Sequence, residues 1–527
     1  MIRPATLESK RLLFRDLIAA SSSLIGYPII FVYFTIFANL MDANSFGILQ
    51  LSLAVAVLAA TLSTLGSEFA TAHFLASRAA DGRRTVLIAG ATVSVVQASL
   101  FGVLLAFTAP ALVNQVFNIS DEDVSIAINV LRWMAVYSVF IAIGYWMRSA
   151  FQGLRRFHYR SLLFISLHFG VFLSAMAILL FTDQSVNVMT VAVIFAGSTA
   201  IPVLFWAGTI WRVAGSGPVS MGAVLRQGRQ LISYGGRVFF AKMGWETYRW
   251  ADVLLVGVFL SPKYVGAYAI ATLVATSGIR GSTYMLEVLF PVISKEHGSG
   301  RNRSVSFAIE QGFRLNAYLL LPFTGFLIIA SPLIVFTLYG ESFEGAILPM
   351  RLLAIMSLSH VFAIAGPALM GIDRPQALSK VTTMSAAANV LLNLMLIPLF
   401  GVAGAAGASV ITRWGNWIYG MHQLKQFIRF TLPAQLVLRA FLAMAIATAI
   451  SYWILNMVWS PQEFETISGL FGVALLIGTG LFFYTLYAAL AILLGCVTRY
   501  DLKLLEAVSG KRLKILERLA VREGLEG

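Results

Sequence analysis

The sequence predicts an all-α polytopic membrane protein with 14 transmembrane helices, and three observations carry that prediction. Of its 527 residues, 58% are hydrophobic and only 12% are charged, with a mean hydropathy of +0.82. A soluble chain carries about 25% charged residues and needs polar groups over much of its surface, so this composition excludes a water-soluble fold. Apolar runs of about 20 residues, the length that crosses a hydrocarbon core about 30 Å thick, recur along the chain. Basic residues alternate between the connections as such crossings require.

Taken in order, the runs are 17–38, 46–66, 86–109, 128–148, 161–182, 187–210, 236–259, 264–290, 315–338, 349–370, 378–399, 403–424, 436–458 and 467–495. With the N-terminus in the cytosol, 30 of the 38 Lys and Arg fall in inside segments, from Arg3 and Lys10 to the seven of the tail that begins at Arg499. The outside loops hold Lys263 alone, beside acids such as Asp42, Asp121, Glu122, Asp123, Glu341 and Glu344. A wrong count would break this alternation from the error onward, so both termini are expected in the cytosol. The net charge of +14 then follows from topology and the anionic inner leaflet, and no nucleic-acid partner is expected. The basic start runs into an apolar stretch longer than a signal peptide and reads as the flank of the first span. Cys496 is the single cysteine, which excludes an intramolecular disulfide and a cysteine metal cluster.

An internal repeat organises the spans. At an offset of 219 residues Gly47 pairs with Gly266, Ser63 with Ser282, Thr64 with Thr283 and Glu68 with Glu287. The same offset pairs Arg84 with Arg303, Arg132 with Arg351, Arg155 with Arg374 and Phe181 with Phe400. Helices 1–6 and 7–12 are therefore expected to be two pseudo-symmetric six-helix lobes, residues 1–215 and 216–430. Six is even, so both enter the membrane in one direction, related by an axis along its normal with a cleft between them. Residues 431–498 hold helices 13 and 14, and residues 499–527 read as a basic amphipathic cytoplasmic tail.

Seven basic residues remain inside or at the ends of spans. Arg132, Arg148 and Arg351 lie near span ends, where long side chains reach the headgroups. Lys242, Arg249, Arg280 and Arg413 do not, and they share the second copy with Glu246 and Asp252. Six central charges would cost roughly 15–20 kcal/mol against lipid, so they are expected to face a wet cavity or one another. In the seventh span, KMGWETYRWAD, the four charges Lys242, Glu246, Arg249 and Asp252 fall within an arc of roughly 120°. Their spacings allow Lys242–Glu246, Glu246–Arg249 and Arg249–Asp252 contacts. That pattern fits a self-neutralising ladder or the polar wall of a transport cleft. Four cations against two acids leave a net positive cavity, which suits a phosphate-bearing substrate. Lys242, Arg249, Arg280 and Arg413 are accordingly the expected substrate-binding residues, and Glu246 and Asp252 the expected ion-coupling ones. The first copy holds Ser23, Tyr27, Ile30 and Tyr33 at the equivalent positions. His73, His168, His360 and His422 read as satisfied polar residues, and Glu68 and Glu287 as structural or gating groups.

The chain has no GxxxxGK[ST] loop for nucleotide hydrolysis and no extramembrane stretch long enough for a polymerase, ligase or transferase domain. No catalytic triad, carboxylate pair or metal site is legible, so a transporter is expected, with no cofactor beyond a coupling ion, proton or sodium.

Four segments, ANLMDANSFGILQLSLAVAVLAATLSTLG (38–66), FQGLRRFHYRSLL (151–163), ADVLLVGVFLSPKYVGAYAIATLV (251–274) and MGIDRPQALSKVTTMSAAANVLLNLMLIPLFGVAGAAGAS (370–409), resemble the multidrug/oligosaccharidyl-lipid/polysaccharide (MOP) superfamily. The likeness is to its bacterial polysaccharide-export branch of lipid-linked oligosaccharide flippases. Asn389 and Asn393 ahead of Ile397-Pro398 carry it most specifically. The resemblance covers about residues 15–425. It implies a V-shaped cleft, alternating access, and transfer of an undecaprenyl-pyrophosphate-linked oligosaccharide of O-antigen or exopolysaccharide type to the outer leaflet of the bacterial cytoplasmic membrane. The implied partners are that glycolipid, membrane lipids and a glycan polymerase machinery. A lipid II flippase and a cation/drug antiporter are the alternatives within the superfamily. A non-transport scaffold acting through the basic tail is the alternative outside it.

Overall fold

The computed structural model describes residues 26–77, 80–181, 186–213, 219–458 and 469–496. Their regular structure is entirely helical. The 499–527 tail and Ser23 lie outside the described residues. The chain packs as two units, and each is described by itself.

The first unit runs through Ala269 and takes in Asn393–Gly401. Its helices are α1 (Gly26–Leu40), α2 (Ala43–Thr64), α3 (Ser67–Ser77), α4 (Ala80–Gln115), α5 (Asp121–Gly153), α6 (Phe157–Phe181), α7 (Val188–Val213), α8 (Met221–Phe259) and the first turns of α9 (Pro262–Gly298). Asp42 caps α2: its carboxylate accepts from the Asn44 N–H at 2.8 Å and from the Ser45 N–H at 3.0 Å. The Ser45 hydroxyl donates to it as well, at 2.9 Å. Burial opposes ionisation of Asp42, but these bonds outweigh it and hold its pKa below the usual carboxylate value.

Leu65 and Gly66, with φ of 44° and 74°, end α2 in the left-handed region. The chain restarts at Ser67, which places Glu68 in the first turn of α3. The repeat-equivalent residues Tyr284 and Met285 lie within an unbroken α9, so only the first copy carries this break. The turn lies backbone to backbone on α8: a Cβ at Gly66 would strike the Gly235 carbonyl, and one at Gly235 the Leu65 carbonyl. A second close crossing joins α2 to α9. A Cβ at Gly47 would run into the Pro262 carbonyl oxygen, and one at Gly266 into the Ala43 carbonyl oxygen. The pairs 43/262 and 47/266 differ by the repeat offset, so the contact is its own pseudo-two-fold image. Between helices in lipid, this kind of backbone approach and packing supplies the association.

The second unit comprises Ile270–Leu392 and the residues from Val402 onward. It contains the rest of α9, α10 (Asn302–Leu338), two short 3₁₀ turns (Glu341–Ala346 and Ser359–Phe362), α11 (Ile347–Leu358), α12 (Ala365–Gly371), most of α13 (Pro375–Lys425), α14 (Ala434–Val458) and α15 (Gly469–Leu493). The element bounds follow the 219-residue offset: α4 corresponds to α10, α5 to the Glu341–Gly371 stretch, and α6 and α7 to the two halves of α13. Gly401 (φ 60°, ψ −139°) breaks α13 between those halves, in a region that an L side chain occupies only under strain. The buried Ser282 hydroxyl donates to Asn316 Oδ1 at 2.9 Å, and Asn316 Nδ2 donates to the His360 carbonyl at 3.1 Å. Arg351 donates from Nε to the Ile328 carbonyl and to Ser331 Oγ, whereas its repeat partner Arg132 is exposed.

Ten helices among the described residues are long and apolar enough to cross a membrane, with α13 counted once. Charged and polar side chains interrupt the apolar runs of α8 and α9, and the described part of α1 is short. Fourteen crossings require α1, α8, α9 and both halves of α13 to cross as well.

The glycine crossing is testable by thermal unfolding in detergent. Gly266→Val overpacks a backbone contact and should cost about 1–3 kcal/mol or more. Gly197→Ala, where an added Cβ meets nothing within 4 Å, should be neutral or stabilising by up to about 1 kcal/mol. Equal effects at the two positions would contradict the crossing.

Candidate functional site: a basic cavity in the first unit

A cavity of 380 Å³ lies among α1, α2, α3, α5, α6, α7 and α8, all in the first unit. Four cations (Arg148, Arg160, Lys242 and Arg249) and two acids (Glu68 and Glu246) line it. The Gly66–Gly235 contact sets its geometry. From Gly235 to Lys242 is seven residues of α8, about 10 Å of rise, which brings the ammonium to Glu68 on α3. Lys242 and Glu68 form an ion pair, with side chains 13% and 4% exposed, and the same ammonium donates to Thr64 Oγ1 at 3.1 Å. The Tyr145 ring stands 5.5 Å from it. His73 stacks on Tyr234 with ring centroids 4.7 Å apart, a further link between α3 and α8.

The seventh-span ladder therefore closes differently from the spacing argument. Lys242 pairs with Glu68, and neither the Lys242–Glu246 nor the Glu246–Arg249 rung forms an ion pair. Glu246 lines the cavity with Oε2 buried and without a hydrogen-bond partner. Arg249 is exposed toward the cavity side and sits 5.5 Å over the Trp250 ring. Asp252 is not among the lining residues. It accepts from the Tyr268 hydroxyl at 2.8 Å and from Asn393 Nδ2 at 2.6 Å, so it joins α8 to α9 and to the Asn393–Gly401 segment. Arg280 on α9 and Arg413 on α13 are half-buried residues of the second unit.

Two lining cations fall outside the set expected from the sequence to bind substrate. Arg148, which its position near a span end sends toward the headgroups, instead lies 4.7 Å over the Phe164 ring with Nε buried. Arg160 counts as an inside-loop cation by topology, yet it lines the same cavity. The signal was present on α5: Tyr137, Ile141, Tyr145, Arg148 and Gln152 recur at three- and four-residue spacing, and all line the cavity. Neither Arg148 nor Arg249 has a carboxylate within ion-pair distance among the described residues.

Repeat-equivalent positions of α1 and α8 both face this space. Tyr27 corresponds to Glu246 and Ile30 to Arg249, and all four line the cavity. One wall is thus apolar and aromatic, the other charged. His168 completes the aromatic side, its Nδ1 3.3 Å from the Tyr33 hydroxyl. No group of three or more His, Cys, Asp or Glu able to hold a metal ion occurs among the described residues.

The polysaccharide biosynthesis protein family matches residues 17–297, and the lipid II flippase MurJ family matches residues 267–475. A probable low-salt glycan biosynthesis flippase of Haloferax volcanii, Agl15, is 26% identical over 204 residues, 38% of this chain and 43% of that protein. A probable flippase of the same organism, AglR, is 23% identical over 239 residues, 43% and 50% of the two chains. The chain thus spans half or less of the length of these curated relatives. Among solved structures, lipid II flippase MurJ in an inward closed conformation has a TM-score of 0.66 at 10% identity, over 90% of this chain and 98% of that one. An inward-facing multidrug resistance MATE family transporter of the MOP superfamily has a TM-score of 0.63 at 15% identity, over 76% and 93%. At these identities the likeness is one of fold.

The ion pair between α3 and α8 yields a prediction. Removing one partner of a buried pair typically costs about 3–5 kcal/mol, because it strands the other charge. Glu68→Gln should lower thermal stability in detergent by that order, and Glu68→Gln with Lys242→Met should recover most of it. If Glu68→Gln alone behaves like an exposed substitution, the pair does not join these helices.

Proposed function

Because the chain belongs to the polysaccharide biosynthesis protein family and has the fold of MOP-superfamily transporters, we propose that it is a flippase for a lipid-linked glycan rather than an enzyme. In this reading the cargo is an undecaprenyl-pyrophosphate-linked oligosaccharide of O-antigen or exopolysaccharide type. It passes from the inner to the outer leaflet of a bacterial cytoplasmic membrane by alternating access. The observation that carries the proposal is the sign of the cavity: four cations against two acids, with no carboxylate within ion-pair distance of Arg148 or Arg249 among the described residues. Guanidinium groups hold phosphate oxygens through paired, charge-assisted hydrogen bonds. A volume of 380 Å³ lies in the lower part of the roughly 300–1,000 Å³ range of small-ligand sites. It suits a diphosphate with its first sugar, the sugar lying along the Tyr27 and Tyr33 wall.

Lys242 and Arg249, now extended by Arg148, are the proposed cations of this cavity, and Arg280 and Arg413 are proposed separately as substrate-binding cations of the second unit. Glu246 is the stronger of the two proposed coupling acids, for a proton or sodium ion, because its carboxylate borders the cavity with Oε2 unpartnered. Asp252 already accepts two hydrogen bonds. The two lobes of residues 1–215 and 216–430, with helices 13 and 14 beyond them, supply the rocking bodies of the mechanism. A lipid II cargo is the second reading, favoured by the family match over residues 267–475. A cationic-drug site would need an acidic cavity, opposite in sign to this one.

Mass spectrometry of lipid-linked sugars in a strain lacking the gene tests the proposal. An accumulated undecaprenyl-pyrophosphate glycan with loss of surface polymer is expected, and its sugar sequence separates a polysaccharide unit from lipid II. Complementation with Arg148→Ala/Arg249→Ala or Arg280→Ala/Arg413→Ala, at normal protein level, should fail to restore export. An unchanged lipid pool together with altered sensitivity to cationic drugs would overturn the assignment in favour of an antiporter.

A further inference from the structure

A second space in the first unit has the opposite chemistry and lies apart from the residues of the basic cavity. It is a groove of 420 Å³ between α4 and the N-terminal third of α8. Ala89 and Val93 of α4 and Val224, Leu225, Gly228 and Ile232 of α8 form its apolar walls. The Thr92 hydroxyl also faces this region but donates to the Ile88 carbonyl at 3.0 Å, which satisfies it within its own helix. Arg229 is the one charged residue lining the groove, and no carboxylate lines it.

The surroundings select the ligand. Beyond Val93 the same flank of α4 continues through Val96 and Leu100, 60% and 64% exposed, an apolar track that is unpartnered within the unit. Arg226, one turn before Arg229 on α8, is exposed, and neither guanidinium has an ion-pair partner among the described residues. Positive-inside counting puts this end of both helices at the inner leaflet, where anionic lipid headgroups attract Lys and Arg. An apolar slot with two adjacent, unneutralised guanidinium groups is complementary to a molecule with a hydrocarbon chain and a phosphate. A zwitterionic headgroup would bring its own ammonium beside the two guanidinium groups, which opposes binding.

We propose that the α4–α8 groove binds an anionic glycerophospholipid of the surrounding membrane, one acyl chain in the slot and the phosphate on Arg229 and Arg226. The site is distinct from the transport cavity and does not depend on what that cavity carries.

Native mass spectrometry of the full chain in detergent tests this, titrated with phosphatidylglycerol and separately with phosphatidylcholine of the same acyl chains. The wild type should retain phosphatidylglycerol roughly tenfold more tightly, because its net negative headgroup meets two guanidinium groups. Arg226→Ala/Arg229→Ala should abolish that preference. Gly228→Leu, which extends a side chain into the slot from a Cβ that would stand 3.4 Å from Val93 Cγ2, should reduce retention of both lipids. Equal retention of the two lipids by the wild type, or an unchanged preference in the double arginine variant, would overturn the proposal. Displacement of phosphatidylglycerol by a polyprenyl phosphate, lost in Gly228→Leu, would do so too, by making the lipid carrier the occupant.

Discussion

A charge placed in hydrocarbon costs a few kcal/mol even on the most permissive scale, and the seventh predicted span, part of α8, carries four charges within eleven residues. The first unit is arranged around that constraint. Lys242 is neutralised by Glu68, a residue on another helix, and can be so because α2 breaks at Leu65–Gly66 and restarts with Glu68 in its first turn. The break is held against α8 where Gly66 and Gly235 leave no room for a side chain. Asp252 is settled separately, by Tyr268 and Asn393. Glu246 and Arg249 are left facing a cavity that α5 and α6 enrich with two further cations. What begins as a solvation problem ends as a basic chamber inside an apolar bundle.

Corresponding element bounds and the Gly47–Gly266 crossing follow the 219-residue offset, and the site departs from it. The Gly47–Gly266 crossing keeps the symmetry of the repeat, since the same backbone approach occurs from both sides. The chamber breaks it. At positions equivalent by the 219-residue offset α1 offers Tyr27 and Ile30 where α8 offers Glu246 and Arg249, so one wall is aromatic and apolar and the other charged. A glycolipid diphosphate has the same two-sided character, with sugar faces at one end and phosphate oxygens at the other.

Much of this was legible in the sequence because membrane constraints are severe. Apolar run length anticipates the ten long apolar helices among the described residues. The 219-residue offset anticipates corresponding bounds for α4 and α10, and the interval between spans 11 and 12 falls on the Gly401 break. The charges of α8 were identified from their cost alone. Their partners were not, because helical spacing sees only neighbours on one helix, and the contact between Lys242 and Glu68 is 174 residues long-range. Arg148 was misplaced for a related reason: proximity to a span end permits a side chain to reach the headgroups, but packing against Phe164 turns it inward. The α5 face that carries Tyr137, Ile141, Tyr145 and Gln152 also carries Arg148.

The central claim is that the cavity of the first unit is an anion site suited to a diphosphate. The most direct measurement is calorimetric titration of the purified protein with a short-chain polyprenyl diphosphate, set beside the corresponding monophosphate and an Arg148→Ala/Arg249→Ala variant. The diphosphate should bind at least about tenfold more tightly than the monophosphate, and the variant should lose at least that factor, equivalent to about 1.4 kcal/mol. Equal binding of both phosphates by the wild type and the variant would contradict that claim, as would preferential binding of a lipophilic cation.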